Sequence, residues 1–302
     1  MAINKTNRLA WIVKTIYKAR KITFEDLARK WYEDDNINDG KPLSKKSFHT
    51  WKWSILDTFG VNIECEKGGE YRYYISNAGD LRDGGIDNWL LNTTAVSNSL
   101  LGCKSIKDKI ILENVPSGME YLDPILEALK QNRCIHIRYY SYWREDEKDH
   151  YIMPLCVKLF RQRWYVVGQV WASGERFTYC LDRIRDFRFS SHTFDYPNDF
   201  SPEEYFNGCI GVITEDVEIQ DVELKVSSNQ ANYLRDLPMH ESQRELERNE
   251  EYSIFKMQVR PTFDFQQEIL WNRDEIEVLK PLWLRKEIAG IVKRMWNKYK
   301  ED

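Results

Sequence analysis

Residues 161–184, RQRWYVVGQVWASGERFTYCLDRI, give the strongest structural signal in the sequence. Its first half is rich in Trp, Tyr and Val, which favour strands, and Ala172-Ser173-Gly174 then provides a turn. From Phe177 to Ile184 the residues alternate as in a second strand, so the whole stretch predicts a β-hairpin. Counted by twos, Tyr179 and Arg183 fall on the same face of that second strand. The hairpin is therefore predicted to hold a basic residue beside an aromatic ring.

The triplet Trp164-Tyr165-Val166, followed by Asp182-Arg183-Ile184, resembles the WYL domain of bacterial transcription regulators. Val166 stands where that family usually has Leu, and the exchange keeps an apolar strand residue. The resemblance implies a small Sm-like β-barrel, a type of fold often used on RNA. One helix followed by five strand-like segments agrees with a five-stranded barrel. These segments are residues 135–143, 151–160, 164–171, 177–184 and 187–190.

Composition indicates a soluble chain of more than one domain. Its 302 residues have room for two or three domains, and 42% hydrophobic with 30% charged residues is ordinary for a globular protein. No apolar run approaches the roughly 20 residues of a membrane helix. The first residues lack the apolar core and cleavage site of a signal peptide. We therefore expect a cytoplasmic protein with no membrane partner.

The sequence carries no recognisable motif for a metal, a cofactor or catalysis. Its six cysteines form no C-x-x-C pair, and its five histidines have no metal-ligand spacing. The G-x-S-x-G motif, the P-loop and the dinucleotide fingerprint are absent as well. We expect a binding protein rather than an enzyme, with no metal site and no cofactor.

Residues 1–77 predict a winged helix-turn-helix. Thr23 and Ser44 stand where N-caps of a second and a third helix are expected, and Gly60 ends the third. Two short strands joined by residues 67–70 would form the wing. The segment carries 14 Lys and Arg against 10 Asp and Glu, a net charge of +4, while the rest of the chain carries −8. Fold and charge together predict binding of double-stranded operator DNA.

The third helix is the predicted reader of the DNA major groove, because one of its faces is polar and the other apolar. The alternative interpretation is that these polar residues only form a solvated helix face and bind no partner. We expect base contacts from Lys45, Lys46, Ser47, His49 and Thr50, and phosphate contacts from Lys52 and Lys67.

The central strands hold the candidate ligand-binding residues. Arginine presents a planar fork of donors to phosphates and tyrosine presents a flat ring to bases. The combination favours single-stranded nucleic acid or a nucleotide as effector. Core packing of the tyrosines and ion pairing of the arginines are the alternative interpretations. The candidates are Tyr139, Tyr140, His150, Arg161, Arg163, Arg176, Tyr179 and Arg183.

The last third of the chain alternates strands and helices, which predicts a ferredoxin-like α+β domain. It resembles the C-terminal extension that follows many WYL domains. The fold is thus predicted to be multidomain α+β, in four parts. They are a winged helix-turn-helix at residues 1–77, a linker at 78–118, a WYL Sm-like barrel at 119–192 and a C-terminal extension domain at 193–302.

These features favour a ligand-responsive, DNA-binding transcriptional regulator that acts as a homodimer, since two winged helices can read two half-sites. The alternative is an accessory module that binds single-stranded nucleic acid and modulates a partner enzyme. Residues 1–77 discriminate between the two, because an accessory module needs no groove-reading helix.

Overall fold

The computed structural model describes residues 5–66, 68–79, 85–102, 108–111, 113, 115, 118–214 and 217–300. The chain divides into two units, Met1–Glu113 and Asn114–Asp302. Within the described ranges no helix is long and apolar enough to cross a membrane. Lys67, a predicted phosphate contact, lies outside the described residues.

The first unit contains five helices and one two-stranded antiparallel sheet. They are α1 (Lys5–Ala19), α2 (Phe24–Tyr32), α3 (Asp35–Asn38), α4 (Lys45–Phe59), β1 (Ile63–Cys65), β2 (Tyr73–Ile75) and α5 (Ile86–Gly102). The predicted N-caps form, since the Thr23 and Ser44 side chains accept hydrogen bonds from Asp26 N and Ser47 N. Gly60 ends α4 in the left-handed region, at a φ of 62°.

Helix α5 occupies part of the stretch that was predicted as a linker. It packs on α1 and α4, and Leu91 lies in the core of the first unit. Trp89, Leu90 and Val96 are exposed, so only part of the apolar surface of α5 is covered. The first unit therefore extends beyond residue 77.

The second unit begins with α6 (Met119–Lys130), which covers one face of a five-stranded antiparallel sheet. All five predicted strands form, in the order β6-β5-β4-β3-β7. Ile125 of the helix packs with the fully buried Ile137 and Val166 of the sheet. The strands are β3 (Arg133–Ser141), β4 (Asp146–Phe160), β5 (Arg163–Val170), β6 (Arg176–Cys180) and β7 (Ile184–Thr193).

This sheet is open, so the predicted closed Sm-like barrel is wrong for the described residues. Strands β6 and β7 are its two edges, and Leu181–Arg183 between them forms a 3-10 turn. Strand β6 ends at Cys180, and Leu181 begins the turn with its side chain buried. The predicted alternation up to Ile184 therefore fails at Leu181, and Arg183 belongs to the turn.

The open sheet is strongly curved. Tyr139 of β3 and Tyr179 of β6 have two strands between them, yet their ring centroids are 5.1 Å apart. The Tyr139 hydroxyl also accepts a hydrogen bond from Cys180 N at 3.2 Å. At about 4.8 Å per strand, a flat sheet would separate the two strands by about 14 Å. Curvature thus brings β3 and β6 to the same place.

The remaining residues form a C-terminal α+β domain after the short helix α7 (Pro202–Tyr205). Its elements have the βαββαβ sequence expected of a ferredoxin-like domain, and its antiparallel sheet has the order β11-β8-β10-β9. Strand β9 was not predicted, because its five residues are exposed and four are charged. The elements are β8 (Gln220–Ser227), α8 (Ser228–Asp236), β9 (Arg244–Arg248), β10 (Tyr252–Val259), α9 (Phe263–Trp271), β11 (Ile276–Lys280) and α10 (Leu282–Tyr299).

Candidate functional site

The outer surface of α4 carries the residues predicted to read DNA. Phe48 and Ile55 are buried in the core of the first unit, which fixes the inner side of the helix. Lys46, His49 and Thr50 are exposed on the other side. Because they are three and four residues apart, these three side chains lie on one helix face.

The other predicted contacts on α4 already have partners in the first unit. Lys45 Nζ lies 3.1 Å from the Glu25 carboxylate, and Lys52 Nζ lies 5.6 Å from the centre of the Tyr73 ring. The Ser47 hydroxyl accepts a hydrogen bond of 2.9 Å from the N-cap hydroxyl of the same helix. Lys45 and Glu25 are both exposed, so water screens their attraction and a phosphate could take the place of Glu25.

An aromatic cluster forms where β3, β4 and β6 meet on the helix-covered face of the curved sheet. His150 packs edge to face against Tyr179, with centroids 5.3 Å apart, and against Tyr139 at 6.3 Å. The Tyr179 hydroxyl lies 3.4 Å from His150 Nδ1. Three predicted ligand-binding residues are thus brought together, and we call them the aromatic triad.

Burial sets the protonation of the aromatic triad. Desolvation raises the pKa of Tyr139 and of Tyr179 above the ordinary tyrosine value. Desolvation lowers the pKa of His150, and the nearby positive charges of Arg144 and Lys148 lower it further. All three rings are therefore uncharged at neutral pH, with two cations beside them.

Arg183 lies at the edge of the aromatic triad with one donor unsatisfied. Its guanidinium carbon is 4.1 Å from the centre of the Tyr142 ring. Its Nε is buried and has no hydrogen-bond partner among the described residues. A buried donor on a charged group is costly to leave unpaired, so an oxygen from a ligand would stabilise it.

Arg163 has a similar unsatisfied donor and is held in place by Asp182. Its Nη2 lies 2.6 Å from Asp182 Oδ2, and Nε is buried without a partner in the part of the chain that the structure describes. The turn that carries Asp182 is itself fixed, because Gly118 at the N-cap of α6 packs against its backbone. A Cβ on Gly118 would overlap Asp182 N and Leu181. Asp182 and Arg183 are thus presented by one rigid turn.

The other three candidates lie apart from the aromatic triad. Arg161 forms an ion pair with Glu268 of α9, and Arg176 Nη2 lies 2.8 Å from Asp199. Tyr140 is at the rim, 5.6 Å from Tyr142. Ion pairing was the alternative interpretation of the arginines, and it describes Arg161, Arg163 and Arg176.

Sequence reasoning missed three residues around this cluster, Tyr142, Arg144 and Lys148. They lie in or next to the β3–β4 turn. The acidic residues Glu145, Asp146 and Glu147 stand between Arg144 and Lys148, so the sequence there shows mixed charge and no basic cluster. We call the assembled set the tyrosine–arginine site, and it can offer the Arg183 donor to an anion and the exposed Tyr142 ring to a flat group. Its members are Tyr139, Tyr142, His150, Tyr179 and Arg183, whereas Arg163 lies on the opposite face of β5.

Polar contacts join the five-stranded sheet to the C-terminal domain. Lys158 of β4 donates a hydrogen bond of 2.7 Å to Gly211 O. Asp264 Oδ2 at the start of α9 accepts hydrogen bonds from Val212 N and Ile213 N, at 2.8 and 2.9 Å. The segment around residue 211 is therefore tied to both the sheet and the C-terminal domain. No group of three or more His, Cys, Asp or Glu side chains within the described ranges could hold a metal ion.

Comparison with known proteins gives two family matches. Residues 120–189 match the model of the WYL domain, and residues 218–296 match that of the WCX domain. The first range covers α6 and most of the five-stranded sheet, and the second covers most of the C-terminal domain. A search of curated proteins gave no match.

Two solved structures are distantly similar to the chain. Proteasome accessory factor B/C (PafBC) of Arthrobacter aurescens is 16% identical with a TM-score of 0.35, over 94% of this chain and 46% of that one. This chain thus spans less than half the length of PafBC. A structure titled as a CRISPR Cas-related protein is 13% identical with a TM-score of 0.42, over 99% of this chain and 87% of that one. Neither likeness is close enough to bear on function.

Proposed function

This chain belongs to the WYL-domain family, with a WYL domain followed by a WCX domain, and from that premise we propose that it is a ligand-responsive, DNA-binding regulator of transcription. The first unit binds double-stranded operator DNA through α4. The tyrosine–arginine site of the WYL domain binds a phosphate-bearing effector. The C-terminal domain joins two copies into a dimer.

The exposed face of α4 is the observation that carries the DNA-binding proposal. Lys46, His49 and Thr50 lie together on it and are all exposed. A DNA major groove about 12 Å wide admits one α-helix, and lysine and histidine can donate to base edges there. The net charge of +4 over residues 1–77 adds attraction to the phosphate backbone. An accessory module would have no use for such a face.

The unpartnered donor of Arg183 carries the effector proposal. Arg183 Nε is buried beside the uncharged aromatic triad, so an anion that reached it would meet little competition from water. Phosphate oxygens fit this donor, and the exposed Tyr142 ring fits a base. The effector class that meets both demands is single-stranded nucleic acid or a nucleotide.

The end of α10 supports a dimer of two copies. Leu284 and Ile288 pack the first half of this helix on the C-terminal domain. Its last two turns, residues 292–299, are exposed throughout. Their apolar residues follow helical spacing, and all are exposed: Val292, Met295, Trp296 and Tyr299. A second copy related by a two-fold axis would cover them.

Selection from a random duplex pool tests the DNA-binding proposal. Wild type should enrich a defined sequence, whereas the double variant Lys46→Ala, His49→Ala should fold normally and lose the preference, since each base contact is worth about 1–3 kcal/mol. The variant Lys14→Ala in α1 controls for loss of one positive charge. Binding of single strands without any binding of duplex would overturn the regulator and favour the accessory module.

Calorimetry with short single strands and nucleotides tests the effector proposal. Arg183→Ala should weaken binding about tenfold or more, as expected for loss of a charged hydrogen bond. Arg185→Ala removes an exposed arginine two residues away and should change affinity much less. Absence of heat from every ligand with wild type, or equal heat from Arg183→Ala, would contradict the assignment.

A further inference from the structure

Trp53 of α4 is 75% exposed. The other tryptophans of the first unit that lie near it in sequence pack against one another. The Trp31 ring lies 5.4 Å from the Trp11 ring and 5.7 Å from the Trp51 ring, centroid to centroid. Trp53 is therefore a large aromatic side chain left in water beside three tryptophans that pack against one another, which makes it available for a contact.

Trp53 lies on the helix face that is proposed to enter DNA. It follows Lys46, His49 and Thr50 by seven, four and three residues, which places all four on one face. At 1.5 Å per residue the face is about 10.5 Å long from Lys46 to Trp53, or about three base pairs at 3.4 Å each. Its N-terminal end is basic, and its C-terminal end is apolar.

We propose that Trp53 contacts the 5-methyl group of a thymine in the major groove and so selects thymine at one position of each half-site. The proposal rests on the proposed DNA-binding function. The thymine methyl is the only apolar group that base edges present in the major groove, and it is the natural partner for an apolar side chain on a groove-reading face. Lys46 on the same face and the positive charge of residues 1–77 favour DNA over a protein as the occupant.

The test compares thymine with deoxyuridine, which lacks only the methyl group. The selected operator is prepared with each thymine replaced in turn, and its affinity for wild type and for Trp53→Ala is measured by fluorescence anisotropy. Wild type should lose about fourfold in affinity at one position, the equivalent of one buried methyl group. Trp53→Ala should bind the thymine and deoxyuridine forms equally at that position and otherwise keep the wild-type pattern.

Control variants separate this effect from general damage. Tyr233→Ala removes a 70% exposed aromatic residue from α8 of the second unit and should keep the full deoxyuridine effect. Trp53→Phe keeps an apolar ring and should therefore keep part of the deoxyuridine effect. Circular dichroism of Trp53→Ala should match wild type, since the side chain makes little contact with the core.

Each other outcome has a distinct meaning. A deoxyuridine effect that persists unchanged in Trp53→Ala, or is absent in wild type at every position, overturns the thymine contact while leaving DNA binding intact. Light scattering in which Trp53→Ala dissociates a dimer, with an unaltered deoxyuridine effect, would assign Trp53 to a contact between copies and also overturn it. Failure of wild type to bind any duplex instead overturns the proposed function itself.

Discussion

Asp182 Oδ2 lies 2.6 Å from Arg163 Nη2, while the other oxygen of the same carboxylate accepts a hydrogen bond of 2.6 Å from the Cys180 thiol. Burial alone would raise the pKa of Asp182, but the hydrogen bonds from Cys180 and Arg163 outweigh it and the pKa is lowered. Asp182 is therefore ionised at neutral pH. The next residue in the same turn is Arg183, so one turn supplies both the carboxylate that orients one arginine and the second arginine itself.

Replacing Asp182 by Asn should destabilise the fold at pH 7. The free energy of unfolding should fall by about 2 kcal/mol, because Asp182 is only 12% exposed and Arg163 would lose a charged partner. The folded-state pKa of Asp182 is lowered, so its contribution exists above the ordinary aspartate pKa and is lost as the pH falls below it. Urea unfolding at pH 7 and at lower pH measures this difference, which should shrink on acidification.

The matched control for Asp182 is Asp199. It pairs with Arg176 at 2.8 Å but is 76% exposed. Asp199→Asn should therefore change stability far less than Asp182→Asn. Equal decreases in the free energy of unfolding for the two variants would show that burial does not strengthen the stabilisation from the Arg163–Asp182 pair.

Effector binding should respond to pH through His150. Desolvation, with the charges of Arg144 and Lys148, lowers the pKa of His150 below 6.5, so the ring is neutral at pH 7. Protonation at lower pH adds a positive charge to the aromatic triad, near Arg144 and Lys148, and should favour an anion. Affinity for a short oligonucleotide should rise between pH 7 and 5.5 in wild type but not in His150→Gln, as measured by calorimetry.

The same protonation should have the opposite effect on stability. The folded protein binds this proton less readily than the unfolded chain, so His150 contributes stability above pH 6.5 that is lost on acidification. In the absence of ligand, His150→Gln should reduce the loss of stability between pH 7 and 5.5. An affinity that does not change with pH in wild type would place His150 outside the ligand contact.

Local signals predicted much of the fold. Thr23 and Ser44 cap helices because a side-chain oxygen followed by free backbone N–H groups is a contact within one turn. The five strands of the WYL sheet follow from alternation over a few residues. Local sequence could not predict whether the sheet closes, because closure depends on whether the edge strands β6 and β7 pair. Nor did it predict that Leu181–Arg183 form a turn where the second strand was expected to continue.

The candidate site was likewise predicted only as far as local sequence allows. Side-chain chemistry selected Tyr139, His150, Tyr179 and Arg183, and curvature of the sheet brings them together. The same chemistry also selected Arg161, whose carboxylate partner Glu268 is 107 residues away in the sequence. Such a pairing depends on how the C-terminal domain meets the sheet, and no pattern near Arg161 indicates it.

Replacing Trp296 by Asp should dissociate the proposed dimer. The residue is exposed at the centre of the apolar stripe on the end of α10, so a charge there would have to be desolvated in any contact between copies. Light scattering at micromolar concentration should report a dimer for wild type and a monomer for the variant, with unchanged circular dichroism. Trp271→Asp, at the exposed end of α9, is the control and should remain dimeric. A dimer that survives Trp296→Asp would show that another surface joins the copies.

Gly211 fixes the connection between the WYL sheet and the C-terminal domain. A Cβ at this position would overlap the carboxylate of Asp264, which accepts hydrogen bonds from Val212 N and Ile213 N. Gly211→Ala should therefore displace Asp264 or the segment after residue 211, and Lys158 would lose its bond to Gly211 O. Because several hydrogen bonds to charged groups are disturbed together, the free energy of unfolding should fall by about 2–3 kcal/mol.

The matched control is Gly290→Ala in α10, where a Cβ would meet only Arg294 Nη1 at an ordinary distance of 3.5 Å. Alanine is favoured over glycine within a helix by about 0.5–1 kcal/mol, so this variant should be slightly more stable than wild type. Urea unfolding of both variants gives opposite signs if the close approach of Gly211 to Asp264 is required. Under the proposed function, Gly211→Ala should also bind operator and effector separately but lose the change in operator affinity on adding effector, since the segment that links the two domains is displaced. Normal stability together with normal coupling in Gly211→Ala would show that this segment neither holds the domains together nor transmits the effector signal.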